Sequence, residues 1–334
     1  MDLFLILEWT VKAVILLLFC VAGFAYLTFY ERRALARIQI RIGPNRAGPS
    51  GWLQPAADGI KLIFKEELIP AQAYRIVFLL APMITVFPAL VIMAVIPWGT
   101  SITLFGREIP LYIADINVGV LYLVSIASIS VYGIVLAGWS SNNKYAMMGG
   151  MRSSAQMVSY ELALGLALIG PILIAGSMSL VQIVEAQNPV WFIIYQPIGF
   201  LIFFIASVAE VNRAPFDMPE AEQELTASYH AEYSGMKFAL FFMAEYVKMI
   251  AISAIGATLF LGGFRGPFVD QVPILGPFYL FFKIMVLLFV LIWLRATLPR
   301  IRYDRLMAFG WKVLLPVALA NVFLTAVILV LIGG

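Results

Sequence analysis

The acidic residues of this chain are concentrated in one stretch, residues 210–237. Six of its 19 acidic side chains fall there, and they are Glu210, Asp217, Glu220, Glu222, Glu224 and Glu232. Apolar runs long enough to cross a bilayer flank the stretch on both sides. Because carboxylates bind cations and exchange protons, this pairing predicts the mouth of a charged path into a membrane.

Three carboxylates, Glu161, Glu210 and Glu245, lie within or at the end of apolar runs. A charge at the centre of a bilayer costs about 2.5 to 3.5 kcal/mol on insertion scales, so each needs an ion-pair partner, a proton or water. The structural interpretation is a buried ion pair, for which Lys248 stands at i+3 from Glu245. The functional interpretation is a proton or cation path, and carboxylates on three successive spans favour it.

The acidic stretch also contains a helix start. Asp217 is an N-cap residue, Pro219 falls in the first turn, and Glu220 stands three residues after the cap. Glu220 and Glu224 would share one face and repel each other, either as a proton-accepting site or as a solvated acidic face. His230 titrates in the range that proton transfer near neutrality requires, but a lone histidine is more often structural, and both interpretations stay open.

Metal and nucleotide sites have little support in this sequence. Cys20 is the only cysteine and His230 the only histidine, so the chain alone cannot ligate an Fe–S cluster, a bis-histidine haem or a zinc ion. No GxGxxG or GxxxxGK[ST] motif is present. We therefore predict no metal site, and we expect the redox or energy source to come from partners or a bound small molecule.

A hydrophobic fraction of 62% with only 12% charged residues excludes an ordinary soluble domain, in which charged residues make up about a quarter. The sequence predicts an all-α, polytopic membrane protein that forms one membrane domain over residues 1–334. The first apolar run ends in charged residues without a cleavage pattern, so we expect it to be retained. About eight spans are predicted, at 10–29, 76–98, 114–139, 154–175, 190–209, 236–261, 278–293 and 313–332.

Some features of the connections can also be predicted. Ser153 or Ser154 can cap the fourth span. The basic segment 30–75 contains an amphipathic stretch at about 52–67, too short and too charged to span, which predicts a helix in the interface plane. Basic residues fall mainly in the connections after spans one, three, five and seven, which places these connections on the inner side and both termini on the outer side.

Three segments of the sequence resemble a known family. They are YERRALARIQIRIGPNRAGPSGWLQPAADGIKLIFKE, MRSSAQMVSYELALGL and AEVNRAPFDMPEAEQELTASYHAEYSGMKFALFFMAEY. The family is that of the H subunit of bacterial NADH-quinone oxidoreductase, respiratory complex I, with mitochondrial chain 1 as its counterpart. The resemblance covers essentially the whole chain, and the string NRAPFDMPEAEQEL is specific to this family.

The resemblance implies a membrane subunit between a redox arm and a proton-pumping arm. It implies a quinone chamber that is lined or supported by Glu31, Arg32, Arg33, Trp52, Lys61, Phe64 and Arg213. Asp217, Glu220, Glu222, Glu224 and Glu232 match a loop that responds to quinone reduction, and Glu161, Glu210 and Glu245 match embedded proton-relay acids.

The same resemblance implies partners and a location. Quinone is the expected substrate, no cofactor is bound covalently, and the Fe–S clusters and FMN are expected on partner subunits. An Fe–S subunit and a quinone-site subunit of the hydrophilic arm would dock on the inner face beside other membrane-arm subunits, with quinone and lipid but no nucleic acid as ligands. The expected location is the bacterial inner membrane or the equivalent organelle membrane.

Three alternatives stay open. One is the homologous subunit of a ferredoxin-linked, F420-linked or hydrogenase-linked complex, which would share the spans and acids. Another is a stand-alone proton or cation antiporter, which would explain the embedded acids but not the amphipathic basic helix. The third is a structural anchor, which would tolerate the loss of the acids.

Overall fold

The computed structural model describes residues 3–104, 107–217, 228–269 and 271–333. Helices dominate this part of the chain. The longer ones are α1 (Leu3–Ile38), α3 (Arg75–Ile92), α4 (Gly119–Ser140), α5 (Lys144–Ala175), α8 (Pro197–Glu210), α9 (Gly235–Phe260), α10 (Leu275–Thr297) and α12 (Leu315–Gly333). The shorter ones are α2 (Gln54–Ile63), α6 (Leu180–Ala186), α7 (Phe192–Tyr195) and α11 (Tyr303–Phe309).

Seven helical segments of the described chain are long and apolar enough to cross a membrane. One of them, Tyr303–Ile332, combines α11 and α12 through a π-helical turn at Gly310–Leu314. The fifth predicted span, 190–209, is not among these seven, because it is divided into α7 and the 14-residue α8. The all-α, polytopic fold is thus confirmed, and one of the eight predicted spans is replaced by two shorter helices.

The division of the fifth span has a local cause. A proline ring disfavours the helical conformation in the residue before it, and Gln196, which precedes Pro197, has φ −129° and ψ 54°. Pro197 then occupies the first turn of α8, where its missing N–H costs nothing. The chain therefore stops one helix at Gln196 and starts the next at Pro197.

The start of the fourth span was predicted wrongly. Helix α5 begins at Lys144, about ten residues before the predicted start, and Asn143 caps it by accepting a hydrogen bond of 3.0 Å from the N–H of Tyr145. Ser153 and Ser154 lie inside the helix instead. An asparagine cap outside the apolar run gives the first turn a partner for its N–H group, so the helix extends beyond the apolar segment.

Two further elements surround the bundle. An antiparallel hairpin, β1 (Ser101–Leu104) paired with β2 (Arg107–Pro110), follows α3 and was not predicted. The predicted interfacial helix is α2, which is shorter than expected and packs against α1 and α9. Its predicted apolar side, including Ile60, is exposed.

The connections meet at two ends of the bundle. At the end that we call the basic end, the described parts of four connections come together, which are 39–74, 141–143, 211–217 with 228–234, and 298–302. Examples are the bond of 3.0 Å from Ile301 N–H to the Pro215 carbonyl and that of 2.7 Å from Asn143 to Glu232. The opposite end, which we call the hairpin end, contains the described residues of 93–104, 107–118, 176–191, 261–269 and 271–274. Here Ser179 donates a hydrogen bond of 2.7 Å to Asp115.

The interior is packed closely enough to hold side chains in fixed positions. Helices α3 and α4 approach so closely at Gly133 that a Cβ there would lie 2.9 Å from the Ala81 carbonyl oxygen. Helix α9 is the central element, since it contacts α1, α3, α8 and α10 and most of its residues are buried. It therefore positions charged residues that it carries, among them Glu245 and Lys248, inside the bundle.

Candidate functional site

Charged side chains from four elements meet around Arg213 near the basic end. The Nη1 atom of Arg213 donates to Glu31 of α1 over 3.1 Å, and its Nε lies 2.6 Å from Glu245 of α9. Its guanidinium also stacks over the ring of Tyr246 at 4.5 Å. Arg295 of α10 donates a second hydrogen bond to Glu31. We call Glu31, Arg213, Glu245 and Arg295 the arginine cluster.

Two members of the arginine cluster are deeply buried. Glu31 is 2% exposed and Arg213 is 3% exposed, whereas Glu245 and Arg295 are half-buried. A bare charge at such depth is costly, but here each carboxylate has at least one guanidinium within ion-pair distance. Removing one partner from a buried pair typically costs about 3 to 5 kcal/mol, because the remaining charge is left uncompensated. The four members of the cluster therefore stabilise one another.

A second ion pair lies deeper in the bundle. Glu210, at the last residue of α8, is 5% exposed and its Oε1 lies 2.9 Å from Nζ of Lys248. Lys248 also donates to the hydroxyl of Ser130 on α4 over 3.3 Å. The i, i+3 pair of Glu245 with Lys248, which the structural interpretation of these acids suggested, is not formed, because Glu245 pairs with Arg213 and Lys248 with Glu210.

The third embedded carboxylate has a neutral partner. Glu161 of α5 accepts a hydrogen bond from the hydroxyl of Ser128 on α4, and no ion pair joins it to a cation within the described ranges. Glu210 and Lys248 are near enough for their charges to act on it. Four carboxylates, Glu31, Glu161, Glu210 and Glu245, thus face three cations, Arg213, Lys248 and Arg295. Of these four, Glu161 is the one whose charge no direct partner balances in this part of the chain.

A small cavity links the two ion pairs. It has a volume of about 40 Å³, and Glu210, Glu245, Lys248 and His230 are among the residues that line it. One water molecule requires about 10 to 15 Å³ of cavity volume, so this cavity has room for two or three water molecules. Water in this space can connect the carboxylates of Glu210 and Glu245 by hydrogen bonds, which is the arrangement that proton transfer between them requires.

His230 faces this cavity from the short 3₁₀ turn Ser228–His230. Aromatic rings surround it, with the centroid of Tyr229 at 5.0 Å and that of Phe238 at 5.7 Å. Burial lowers the pKa of His230 to about 4, since the charged imidazolium would lose its hydration. At neutral pH the ring is therefore uncharged.

Two further acids of the stretch 210–237, Asp217 and Glu232, make separate contacts. Asp217 is 7% exposed, and Arg300 lies 3.2 Å from it. Glu232 accepts a hydrogen bond of 2.7 Å from Asn143, beside the start of α5. Asp217 and Glu232 therefore contact different elements at the basic end. Glu220, Glu222 and Glu224, and the helix predicted to start beside them, lie outside the described residues.

The residues expected to form a quinone chamber are only partly brought together. Glu31 and Arg213 belong to the arginine cluster, whereas Arg32 bridges α1 to α2 through Asp58 at 2.8 Å. Arg33 stacks on Phe29 at 5.5 Å, and Trp52 packs against the same ring at 6.0 Å.

The other two residues of this set lie on the exposed side of the α2 segment. Lys61 is exposed, and Phe64 is 84% exposed. A cavity of about 80 Å³ lies nearby between α1, α9 and α10, with Tyr26 and Tyr30 among its lining residues. The structure thus defines a charged interior and two exposed aromatic residues, Trp52 and Phe64, that flank α2. Arg32 and Trp52 join the α2 segment to α1.

Sequence reasoning missed several partners of these acids. Arg295 and Arg300 were counted only as basic residues that orient the chain, and Ser128 and Ser130 were not singled out. Arginine in a connection gives no signal of its buried partner. The two serines, however, stand two residues apart within an apolar span, a position where polar groups often face the interior of a bundle.

Comparison with known proteins gives consistent results. A protein-family model described as NADH dehydrogenase matches residues 11–326. The H subunit of the NADH-quinone oxidoreductase of Thermomicrobium roseum is 53% identical over 314 residues, which cover 91% of each chain. The H subunit from Protochlamydia amoebophila is 54% identical over 302 residues, 90% of this chain and 91% of the relative. The second H subunit from Syntrophobacter fumaroxidans is 51% identical over 322 residues, 96% and 95% of the two chains.

The fold and the site together define a polytopic α-helical membrane protein with a network of ion pairs inside its bundle. The family model and the relatives match nearly the whole length of the chain. They identify one family within this class of membrane proteins. The chain belongs to the family of the H subunit of NADH-quinone oxidoreductase, a membrane component of complex I.

Proposed function

We propose that this chain is the membrane subunit that forms much of the quinone chamber of a proton-pumping NADH:quinone oxidoreductase and couples quinone reduction to proton translocation. The names of the relatives support the complex. The coupling role rests on one observation, which is the succession of charged groups from Asp217 at the basic end to Glu161 inside the bundle.

The succession starts at Asp217, four residues after Arg213 on the same short segment. Arg213 binds Glu31 and Glu245, Glu245 and Glu210 line one cavity, and Lys248 pairs with Glu210. The charge of Lys248 in turn acts on Glu161. From Arg213 to Glu161 each member contacts the next, lines a cavity with it or lies within reach of its charge, whereas Asp217 is joined to Arg213 only through the backbone of their shared segment. A change of charge near Arg213 therefore alters the electrostatic energy of protonation along the series.

The mechanism is electrostatic. Reduction of quinone to quinol takes two electrons and two protons, and protons drawn from nearby side chains leave negative charge behind. That charge favours protonation of the next carboxylate, because like charges in a low dielectric repel strongly. Glu31 and Arg213 would report the change, Glu245 and Glu210 would pass it on, and Glu161, with only a hydroxyl as its direct partner among the described residues, would take up and release a proton.

The remaining parts of the complex follow from this role. Quinone is the substrate, with Glu31, Arg32, Arg33, Trp52, Lys61, Phe64 and Arg213 lining or supporting its chamber. The chain has no redox centre of its own, and the Fe–S clusters and FMN belong to partner subunits. An Fe–S subunit and a quinone-site subunit would dock on the basic end, which faces the inner side of the bacterial inner membrane. The complex is then a proton-translocating oxidoreductase.

The test is Glu161→Gln in the assembled complex, measured in inverted membrane vesicles. We expect proton uptake per NADH oxidised to fall by about tenfold or more, as for the loss of a proton-transfer group. Ferricyanide reduction by the soluble arm should be unchanged. Glu185→Gln is the matched control, since Glu185 is an exposed glutamate on α6. Undiminished proton uptake in the Glu161 variant would refute the relay role.

A further inference from the structure

The side chain of Gln156 forms hydrogen bonds to both ends of the segment that connects α8 to Asp217. It lies on α5, five residues before Glu161, and is completely buried at 0% exposure. Its side-chain amide donates to the Ala209 carbonyl over 2.8 Å and to the Phe216 carbonyl over 2.8 Å. The side chain of Asn212, between these two residues, lies 3.2 Å from the same nitrogen.

The orientation of this amide is fixed by its surroundings. Three acceptor oxygens face one nitrogen, and a flipped amide would place its own oxygen against them. The Gln156 oxygen is buried and finds no donor in the described part of the chain. Leaving a buried acceptor unpaired destabilises the folded protein, so the favourable contribution of this side chain must come from donating to the three acceptors.

The positions of the two carbonyls give the amide its importance. The Ala209 carbonyl belongs to the peptide group whose nitrogen is that of Glu210, and the Phe216 carbonyl belongs to the peptide group whose nitrogen is that of Asp217. One side chain therefore holds the peptide that precedes each of these acids. Arg213, in the middle of the same segment, is held by Glu31 and Glu245.

The remaining contacts of segment 209–217 stiffen it. The N–H of Phe216 donates to the Arg213 carbonyl over 2.9 Å, and the N–H of Arg213 donates to the Val208 carbonyl over 3.3 Å. Asn212 has a φ of +56°, a conformation that asparagine adopts more readily than most residues. A displacement at Asp217 is therefore passed along a rigid turn to Glu210, unless the Gln156 bonds break.

We infer that Gln156 is a positioning residue that transmits displacement of Asp217 to the embedded Glu210–Lys248 pair. This inference rests on the proposed coupling function. Gln156 itself carries no proton in this role. It fixes the relative position of the peptides that carry Asp217 and Glu210, so that a rearrangement at the basic end reaches the interior of the bundle.

The test replaces the amide while keeping its shape. In Gln156→Leu, the three acceptors lose their donor, and we expect proton translocation per NADH oxidised to fall by a factor between about 2 and 30, the range in which single residues modulate coupling between sites. Quinone reduction without pumping should continue. Gln187→Leu is the matched control, because Gln187 is another buried glutamine that donates to a carbonyl, that of Thr258, far from the acids.

A second variant separates positioning from packing. In Gln156→Glu, the neutral carboxyl group has one O–H donor and can bind one carbonyl, whereas the carboxylate has none. The pumping ratio of this variant should therefore rise as the pH falls, relative to the wild-type profile. A wild-type ratio in Gln156→Leu, an equal fall in Gln187→Leu, or loss of assembly in both Gln156 variants would overturn the inference.

The outcome is distinguishable from failure of the proposed function. If Glu161→Gln abolishes pumping and Gln156→Leu does not affect it, the relay stands and only the role of Gln156 is wrong. If Glu161→Gln pumps normally, the proposed function fails whatever Gln156 does.

Discussion

The two halves of the bundle satisfy their buried polar groups in different ways. Toward the basic end, Glu31, Glu210 and Glu245 pair with Arg213, Lys248 and Arg295. Toward the hairpin end, the groups are mainly neutral. The Gln196 amide donates to Thr325 over 2.6 Å and accepts from Asn321 over 2.9 Å, and Gln187 bonds to the Thr258 carbonyl.

The one buried lysine of the hairpin half that the structure describes, Lys283, follows the same division. Its Nζ donates to the carbonyls of Gly263 and Arg265 over 2.8 and 2.7 Å, and it lies 4.9 Å from the Trp191 ring. The two carbonyl groups and the indole ring cannot change protonation state. Their contacts with Lys283 therefore position the helices but do not take up or release protons. The ion pairs of the basic half can respond to added charge, and this difference is the reason why the proposed coupling is assigned to the basic half.

The largest effect is expected from Arg213→Met. It removes the cation paired with Glu245 and one of the two cations paired with Glu31, which retains Arg295. Removal of one partner from a buried pair typically costs about 3 to 5 kcal/mol. We expect severe loss of assembled complex and of NADH:quinone activity. The measurement is the amount of complex on native gels together with its activity.

The control for this prediction is Arg302→Met. Arg302 also forms an ion pair, with Asp304 at 3.1 Å, but both side chains are largely exposed. Exposed pairs contribute little because water screens them. If both variants assembled equally well, the arginine cluster would not be the structural centre of the basic half.

An intermediate effect is expected when two of the buried lysines, Lys248 and Lys283, are compared directly. In Lys248→Gln, Glu210 loses its ion-pair partner, so we expect proton translocation per NADH to fall by about tenfold. In Lys283→Gln, only bonds to carbonyls are lost, so the thermal stability of the complex should fall while the ratio is retained. Vesicle pumping assays and melting curves of the same preparations provide both measurements. Equal ratios in the two variants would remove the distinction between the halves.

The spans were predictable because hydrophobicity over about 20 residues is a property of the sequence alone. The division at Gln196 was also encoded locally, in Pro197, but the apolar run concealed it. The hairpin 101–110 was missed because its short strands lie between two spans. In each case the local signal exists and is weaker than the hydrophobic one.

The pairing of the charges was less predictable. The i, i+3 spacing favoured Glu245 with Lys248, but such neighbours on a helix gain only a few tenths of a kcal/mol. Glu210 and Arg213 are also three residues apart in the sequence. In the folded protein neither i, i+3 pair forms, and the pairs are Glu245 with Arg213 and Lys248 with Glu210. Burial makes the cross-helix pairs decisive, and only the tertiary structure specifies which helices meet.

The smallest effect concerns the pH response of the basic half. His230 lines the cavity shared with Glu210, Glu245 and Lys248, and burial lowers its pKa to about 4. In the unfolded chain it takes up a proton near its ordinary pKa of 6.5, so its contribution to stability is complete above pH 6.5 and is lost as the pH falls toward 4.

The corresponding variant is His230→Gln, which cannot be protonated in either state. On acidification from pH 7.5 to 5.5, the wild-type complex should lose about 1 kcal/mol more stability than this variant, since only wild type gains a proton on unfolding. Melting temperatures at the two pH values measure the difference, and the carboxylates common to both proteins cancel. An identical decrease in both would show that the imidazole is protonated inside the folded protein, and the cavity would then carry a further cation beside Lys248.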